Sequence, residues 1–104
     1  MKPDAVREER EAAWIGDAVL SLYARRWVLE HTGRMDQELF AALTSNQFLS
    51  TIANPTALEA RIGRRYQEAD LAAAFAFIEA EVLPQFLAQQ KKRTRNSNAG
   101  RVRR

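Results

Sequence analysis

Hydrophobic side chains recur every three or four residues along most of this sequence, which is the spacing of amphipathic α-helices. In the first predicted helix, residues 4–31, the apolar stripe contains Trp14, Ala18 and Leu22 at steps of four. It is widened by Ile15, Val19 and Leu22 or Tyr23. Gly33 follows as a typical helix-ending residue, because glycine adopts the left-handed conformation without steric cost. No segment shows the sustained alternation of apolar and polar residues that predicts a β-strand. The pattern therefore predicts an all-α fold.

Capping residues and prolines predict where the remaining helices begin. Asn54 is a favourable N-cap, and Pro55 suits the first helical position because its missing N–H has no partner there. Pro84 is expected to kink or end the last apolar helix, since it cannot donate a backbone hydrogen bond. The other predicted boundaries are a helix start at about Asp36, an interruption and cap at Thr44 or Ser45, and a bend or restart at residues 68–70.

Composition narrows the possible chemistry. A chain of 104 residues is about one domain, and the absence of cysteine excludes disulfides, cysteine-bound zinc and a thiol nucleophile. The single histidine, His31, is expected to interact with a helix C-terminus rather than to act as a base. No apolar run approaches the roughly 18 residues that span a bilayer, and no secretory signal is recognisable. We therefore expect a cytoplasmic protein without a membrane partner.

Charge is distributed unevenly along the chain. All 13 acidic residues lie in residues 1–90, whereas residues 91–104 contain seven of the 16 basic residues and no acidic one. We therefore divide the chain into a helical domain, residues 1–90, and a basic C-terminal tail, residues 91–104, which is expected to be disordered. A basic tail of this kind typically binds a polyanion such as nucleic acid. The alternative is a solvated terminus that only increases solubility.

Two carboxylates stand in unusual surroundings. Asp17 lies within a hydrophobic helical run beside Gly16, and Glu59 lies on a second apolar helix near Gly63. An acidic side chain in such a run needs a paired cation, a metal ion or the edge of a cleft. A glycine inside a helix often permits another backbone to approach closely. Carboxylates are also the ligands that Mg²⁺ prefers. The alternative is two surface acids on amphipathic helices.

Three sequence blocks, in the same order, resemble the ribonuclease III domain family. Residues 14–20, Trp-Ile-Gly-Asp-Ala-Val-Leu, are similar to the signature helix of that family. Residues 43–53 resemble its next helix, and residues 59–63, Glu-Ala-Arg-Ile-Gly, resemble its Glu-Ala-Leu-Ile-Gly motif. The resemblance covers roughly residues 10–87 and implies a ribonuclease III-like helical endonuclease domain.

Departures from the family pattern indicate a shortened member. Ala13 and Thr56 occupy two positions where the family usually has acidic residues. The Mini-ribonuclease III branch, which lacks a double-stranded-RNA-binding domain, tends to have alanine and threonine there, so the chain is most similar to that branch. Between Ala53 and Pro55 the family normally has a long helix and loop that help to grip RNA, and here this segment is almost absent.

The resemblance implies a Mg²⁺-dependent endoribonuclease that cleaves double-stranded or structured precursor RNA, as in ribosomal RNA maturation. Asp17 and Glu59 would be its catalytic, metal-binding residues, and their matching acid–glycine settings predict that they face each other across a cleft open to solvent. Trp14 and Ile15 would lie at the interface of a homodimer. The expected RNA-binding residues are Arg61, Arg64, Arg65, Lys91, Lys92, Arg93, Arg95, Arg101, Arg103 and Arg104.

The sequence is also compatible with two functions other than an endoribonuclease. A catalytically inactive ribonuclease III-like fold would be an RNA-binding or ribosome-associated structural protein. The missing segment and the basic tail favour that function, whereas the presence of both Asp17 and Glu59 favours the enzyme. A helical protein-interaction module would use none of these features. For Arg64 and Arg65 the alternative is simply an exposed helix face.

Overall fold

The computed structural model describes the backbone of residues 3–102 and the side chains of residues 4–95. This part of the chain forms six α-helices and no strand, so the all-α prediction is confirmed. The helices are α1 (Pro3–Thr32), α2 (Gln37–Thr44), α3 (Asn46–Leu49), α4 (Pro55–Glu68), α5 (Leu71–Glu81) and α6 (Leu83–Val102).

Helix starts coincide with the capping residues that the sequence indicates. Each of four polar side chains accepts a hydrogen bond from the backbone N–H three residues further on, which satisfies a donor that the helix itself leaves free. The four acceptors are Asp36 for Leu39 at 3.0 Å, Ser45 for Phe48 at 3.1 Å, Asn54 for Ala57 at 3.0 Å and Asp70 for Ala73 at 2.8 Å. Gly33 ends α1 with a positive φ of 75°, and Pro84 lies in the first turn of α6, directly after the break at Val82. These predicted boundaries are confirmed.

The hydrophobic core lies where α1 packs across α4 and α5. Helices α2 and α3 and the first turns of α6 close it with Leu43, Phe48, Leu49 and Phe86. Burying one large apolar side chain stabilises a fold by about 1.5–3 kcal/mol. The largest fully buried side chains are Leu20, Leu43, Leu49, Leu58, Ile62, Ile78, Val82 and Phe86.

The face of α1 that enters the core is not the Trp14–Ala18–Leu22 stripe. Trp14 is 78% exposed, Leu22 is 42% exposed, and Ala18 is exposed as well. The core instead takes Val19, Leu20, Tyr23, Ala24 and Val28 from the other side of the helix. Helix α1 therefore has two apolar faces, one packed inside the protein and one open to solvent.

The prediction of a disordered tail is wrong for residues 91–102, because α6 continues as a helix to Val102. Phe86 is buried in the core, and the Gln89 side-chain amide donates a hydrogen bond to Thr51 Oγ1 at 2.9 Å, so the start of α6 is anchored. Extending an anchored helix requires no new nucleus, and lysine and arginine are good helix formers. The side chains of residues 91–95 are all exposed.

One helical stretch, Leu71–Arg95, is long and apolar enough to cross a membrane by length and composition, with a mean hydropathy of 1.5 in its most apolar window. The stretch is divided between α5 and α6 by the break at Val82. Ile78, Val82 and Phe86 of this stretch are buried in the hydrophobic core. A core helix passes the same test as a membrane span, so the stretch carries no argument for a membrane location.

Candidate metal centre at the crossing of α1 and α4

Helices α1 and α4 cross with their backbones in contact at two glycines. A Cβ atom on Gly16 would collide with the carbonyl oxygen of Glu59 and would lie 2.9 Å from the backbone nitrogen of Gly63. A Cβ atom on Gly63 would collide with the carbonyl oxygen of Ala12 and would lie 3.0 Å from the backbone nitrogen of Gly16. The prediction that each glycine permits a close backbone approach is confirmed, and each glycine proves to lie against the helix that carries the other.

This crossing brings the two candidate carboxylates together. Asp17 follows Gly16 on α1, and the backbone of Glu59 on α4 lies directly against Gly16. Burial, and after it the negative charge of Asp17 and the hydrogen bond between the two side chains, raise the pKa of Glu59 to about 7. Asp17 is exposed and Glu59 is half-buried, so the pair is adjacent and reachable from solvent.

A cation bound between two adjacent carboxylates would remove the repulsion between them, so this pair is the candidate position for one. Among the side chains that the structure describes, neither Asp17 nor Glu59 forms an ion pair with a basic residue. Residues 4–95 provide no group of three or more histidine, aspartate or glutamate side chains that would enclose a metal. A Mg²⁺ ion at this pair would therefore obtain only two protein ligands and would complete its octahedral shell with water or phosphate oxygens.

The predicted RNA-binding residues of α4 lie between about half a turn and nearly two turns beyond Glu59. Arg61, Arg64 and Arg65 are all exposed. The guanidinium groups of Arg61 and Arg65 lie over the Phe77 ring, at 5.8 Å and 5.1 Å from its centroid. Stacking on an aromatic face orients a guanidinium while leaving its N–H donors free for phosphate oxygens. These arginines are therefore held on the same helix as one of the two carboxylates.

The predicted RNA-binding residues of α6 form a separate group. Lys91, Lys92, Arg93 and Arg95 are exposed on the helical extension. The side chains of Arg101, Arg103 and Arg104 lie outside the described residues, so the structure gives no placement for them. Residues 50–54 form the short turn that joins α3 to α4.

The two residues predicted at the dimer interface differ in their exposure to solvent. Ile15 is half-buried and packs against the hydrophobic core, whereas Trp14 projects into solvent. The exposed stripe that begins at Trp14 continues along α1 through Leu22 to Leu29, which is 49% exposed, and ends near Met35, which is 79% exposed. An apolar pocket of about 130 Å³ opens at this far end. Its lining residues are Arg25, Val28, Leu29, Met35, Asp36, Gln37 and Phe40.

Two further surface features were not predicted. A groove of about 680 Å³ lies between α2, α3 and α6 and contains the side chains of Gln47, Gln89 and Arg93. A smaller cleft between α1 and α5 contains Tyr23 and Glu79. Each combines residues that are at least 40 positions apart in the chain, so spacing along the sequence gave no signal for either of them.

Comparison with known proteins adds no family assignment. No family model matches this chain, and neither the search of curated proteins nor the search of solved structures gives a significant match. The resemblance to ribonuclease III domains therefore depends on the three sequence blocks alone.

Proposed function

We propose that this protein is a Mg²⁺-dependent endoribonuclease that cleaves double-stranded or structured RNA, with Asp17 and Glu59 as the metal-binding residues. The observation that supports this proposal best is the pairing of these two carboxylates at the α1–α4 crossing, where burial and, after it, the charge of Asp17 raise the pKa of Glu59 to about 7. The same two acids belong to two of the blocks that resemble ribonuclease III domains.

The role of the protein in this chemistry is to hold and position charge. A bound Mg²⁺ would supply a more acidic water and stabilise negative charge on the phosphate being cleaved. Gly16 and Gly63 fix the separation of the two helices, so the carboxylates are positioned before any ligand arrives. Glu59 must release its proton to bind a cation, so protons compete with the metal at this residue. Cleavage should therefore increase as the pH rises through about 7.

Binding of RNA requires cations, because duplex RNA is recognised largely through its backbone and shape. The exposed guanidinium groups of Arg61, Arg64 and Arg65 lie on α4, roughly 120–160° around the helix from Glu59, and would contact phosphates of the RNA beside the carboxylate pair. The basic residues of α6 would contact RNA further away. In this proposal the basic helix replaces the RNA-gripping segment that is missing before α4.

The exposed stripe on α1 supports the proposed homodimer. Two copies of α1 that pair in opposite directions, with the two-fold axis near Leu22, would bring Trp14 of one copy next to Leu29 of its partner. The apolar pocket beside Leu29 would then receive the indole ring, and Arg25, which already stacks 4.5 Å from the Phe40 centroid, would line that contact. This arrangement would cover Trp14, Leu22 and Leu29, three of the seven large hydrophobic side chains that are exposed among the described residues.

Trp14→Ala tests the dimer. Because Trp14 is exposed in the single chain, its removal should leave the fold intact and weaken dimerisation by at least about thirtyfold, as expected for a central interface aromatic. Sedimentation equilibrium measures the dissociation constant, and Val6→Ala, another exposed apolar residue of α1, is the matched control. A wild-type protein that is monomeric at tens of micromolar would contradict the proposal.

The test of the function is cleavage of a long RNA duplex by the purified protein with and without Mg²⁺. Asp17→Asn and Glu59→Gln should each reduce the rate by about hundredfold or more, as expected for the loss of a group that stabilises charge in the transition state. Glu68→Gln, on the same helix but outside the site, should leave the rate unchanged. Cleavage that persists in Asp17→Asn would come from a contaminant or from another site.

A second candidate function is a catalytically inactive RNA-binding or ribosome-associated protein on the same fold. The short turn of residues 50–54 supports it, because the family uses the missing segment to hold substrate. In that case the protein would bind duplex RNA without Mg²⁺-dependent cleavage, and Asp17→Asn would leave RNA binding unchanged or strengthen it by removing a negative charge.

A further inference from the structure

The groove between α2, α3 and α6 is separate from the candidate metal centre, because neither carboxylate of that centre lines it. Its volume of about 680 Å³ is within the range of pockets that hold small molecules, about 300–1,000 Å³. The groove is apolar where Ala41 and Ala42 of α2 line it and where the largely buried rings of Phe48 and Phe86 reach its surface. An uncharged group of the size of one aromatic ring system can therefore lie in it.

Glutamine side chains provide most of the polar part of the groove. Gln47 of α3 and Gln89 and Gln90 of α6 line it, and both glutamines of α6 are half-buried. Gln89 Nε2 donates a hydrogen bond to Thr51 Oγ1 at 2.9 Å. The side-chain amides of Gln47 and Gln90 form no hydrogen bond with any other described residue. Each of these two amides therefore has one acceptor and two N–H donors available for a ligand.

The chemistry of the lining changes along α6. Helical spacing of about 100° per residue places four lining residues on one side of this helix, and these are Phe86, Gln89, Gln90 and Arg93. This side therefore passes from apolar to neutral polar and then to cationic within about two turns. Glu38 of α2 is the other charged lining residue, and it forms no ion pair with Arg93. The lining as a whole has no net charge, and its positive charge lies towards one end.

A nucleotide has a matching arrangement of chemical groups, because an uncharged aromatic base with polar edges is joined through a sugar to an anionic phosphate. Side-chain amides pair with base edges through one donor and one acceptor, as glutamine does with adenine. In duplex RNA the bases are stacked and paired, whereas unpaired nucleotides in loops and bulges can be splayed out into a protein pocket. The neutral groove therefore suits an unpaired base, and Arg93 suits its phosphate.

We propose that this groove binds an unpaired nucleotide of a structured RNA, with the base between α2 and α6, its edge at the amides of Gln47 and Gln90, and its phosphate at Arg93. The opposite side of α6 carries the cations that would contact the adjoining duplex, namely Lys91, Lys92 and Arg95. This inference rests on the proposed binding of RNA. It adds that the preferred substrate is a duplex interrupted by unpaired nucleotides, rather than a continuous one.

Fluorescence anisotropy with the full chain, in the absence of Mg²⁺, measures binding without cleavage. The probes are a fully paired RNA duplex, the same duplex with one central bulged nucleotide (adenosine, cytidine, guanosine or uridine in turn) and the same duplex with an abasic bulge. The abasic RNA keeps the extra phosphate and the flexibility of the bulge, so it isolates the contribution of the base. At least one of the four bulged nucleotides should bind about tenfold more tightly than the abasic bulge, as expected for one or two hydrogen bonds to the base.

Matched variants localise this preference for the bulged nucleotide. Ala41 is exposed on α2, so Ala41→Leu should fill part of the groove without disturbing the fold and should abolish the preference. Gln90→Ala should reduce the preference about threefold or more, because hydrogen bonds to the base are lost. The controls are Ala88→Leu and Gln85→Ala, at exposed positions of α6 outside the groove, and both should retain the full preference. Thermal unfolding followed by circular dichroism shows that each variant is folded.

The outcomes separate this inference from the proposed function. Tight binding of the paired duplex, with equal affinities for the abasic bulge and all four nucleotide bulges, overturns the inference and leaves the proposed RNA binding in place. Equal losses of preference in Gln90→Ala and Gln85→Ala also overturn it, because the base would then bind elsewhere. Weak binding of every RNA contradicts both the inference and the proposed function.

Discussion

The crossing of α1 and α4 and the distal half of α6 are opposite kinds of helix surface. At the crossing, no side chain separates the two backbones, and the carboxylates of Asp17 and Glu59 are forced together. In the distal half of α6, residues 91–95 are exposed and four of the five are basic, and the helix continues to Val102 beyond its anchor at Phe86. The first region positions atoms accurately, and the second presents charge with little packing around it.

Because of this difference, we expect stability to depend on the crossing of α1 and α4 and the proposed binding of RNA to depend on the distal half of α6. Substitutions at the crossing act on the packed backbone and should change folding and metal binding together. Substitutions in the distal half of α6 change charge without removing buried surface, so they should change association with a polyanion and leave folding alone.

The same chemical change at two glycines should have opposite results. Gly63→Ala inserts a Cβ atom into the backbone of Ala12, and backbone atoms cannot rotate away, so we expect a loss of about 3 kcal/mol or more, at or above the upper end for overpacked sites. Such a loss is a large fraction of the stability of a small domain. Thermal and urea unfolding followed by circular dichroism measure this effect.

The control is Gly100→Ala in α6. Alanine is a better helix former than glycine by about 1 kcal/mol, so this variant should be as stable as the wild type or slightly more helical. If Gly63→Ala unfolds at the same temperature as Gly100→Ala, the close crossing of α1 and α4 is not present in solution.

Removal of residues 91–104 should weaken RNA binding without unfolding the protein. These residues contain seven basic side chains, and each phosphate that is neutralised contributes about −0.9 to the salt slope, taking the DNA value as a guide. Deletion should therefore flatten the salt dependence of duplex RNA binding by several units, as measured by fluorescence anisotropy. For an enzyme, the cleavage rate at saturating RNA should survive, because Asp17 and Glu59 remain.

A variant that keeps α6 helical but removes its positive charges shows whether RNA binding depends on those charges or on the helix itself. Lys91→Gln, Lys92→Gln and Arg93→Gln together should reproduce part of the loss in binding, since glutamine also favours helices. Equal affinity and an equal salt slope for the full and truncated chains would show that this region is only a solvated terminus.

The smallest expected effect is on the pH dependence of stability. The folded-state pKa of Glu59 is about 7, above its ordinary value of 4.5, so between these pH values the folded chain holds a proton that the unfolded chain releases. The contribution of this residue to stability is therefore fully present below pH 4.5 and is lost as the pH rises to about 7. Unfolding free energies across this range should decrease with pH.

Asp17→Asn should reduce that decrease without removing it. The substitution eliminates the repulsion by Asp17, while burial, the larger cause of the raised pKa, remains. The Glu59 carboxyl carbon, followed by nuclear magnetic resonance, should therefore titrate at a pKa between 4.5 and 7. A value unchanged from the wild type would mean that the two carboxylates are not adjacent.

Local signals in the sequence predicted the helix boundaries well, because they depend on neighbouring residues. Asp36, Ser45, Asn54 and Asp70 cap helices within three residues of themselves, and Pro84 follows the break at Val82 for a reason internal to the backbone. The close approach at Gly16 and at Gly63 was also readable, since a glycine inside an apolar helix implies a neighbouring backbone.

The sequence did not predict which apolar face of a helix packs in the core and which face is exposed. Helix α1 has two apolar faces, and periodicity alone does not show that Leu20 and Tyr23 enter the core while Trp14 and Leu22 stay outside. The composition of the basic tail predicted disorder, because composition carries no information about the burial of Phe86, which anchors α6. The sequence also did not predict the cleft beside Tyr23, because Glu79 lines this cleft only when α5 packs on α1.

The contact of Gly16 and Gly63 also determines how the protein can change by mutation. Every other encoded amino acid carries a Cβ atom, so any replacement at either position meets the same obstacle. The obstructing atoms belong to the main chain, which means that no shortening of a neighbouring side chain can compensate. In a saturation mutagenesis experiment these two positions should tolerate no substitution and acquire no suppressors nearby, whereas the exposed cations of α6 should accept many replacements one at a time.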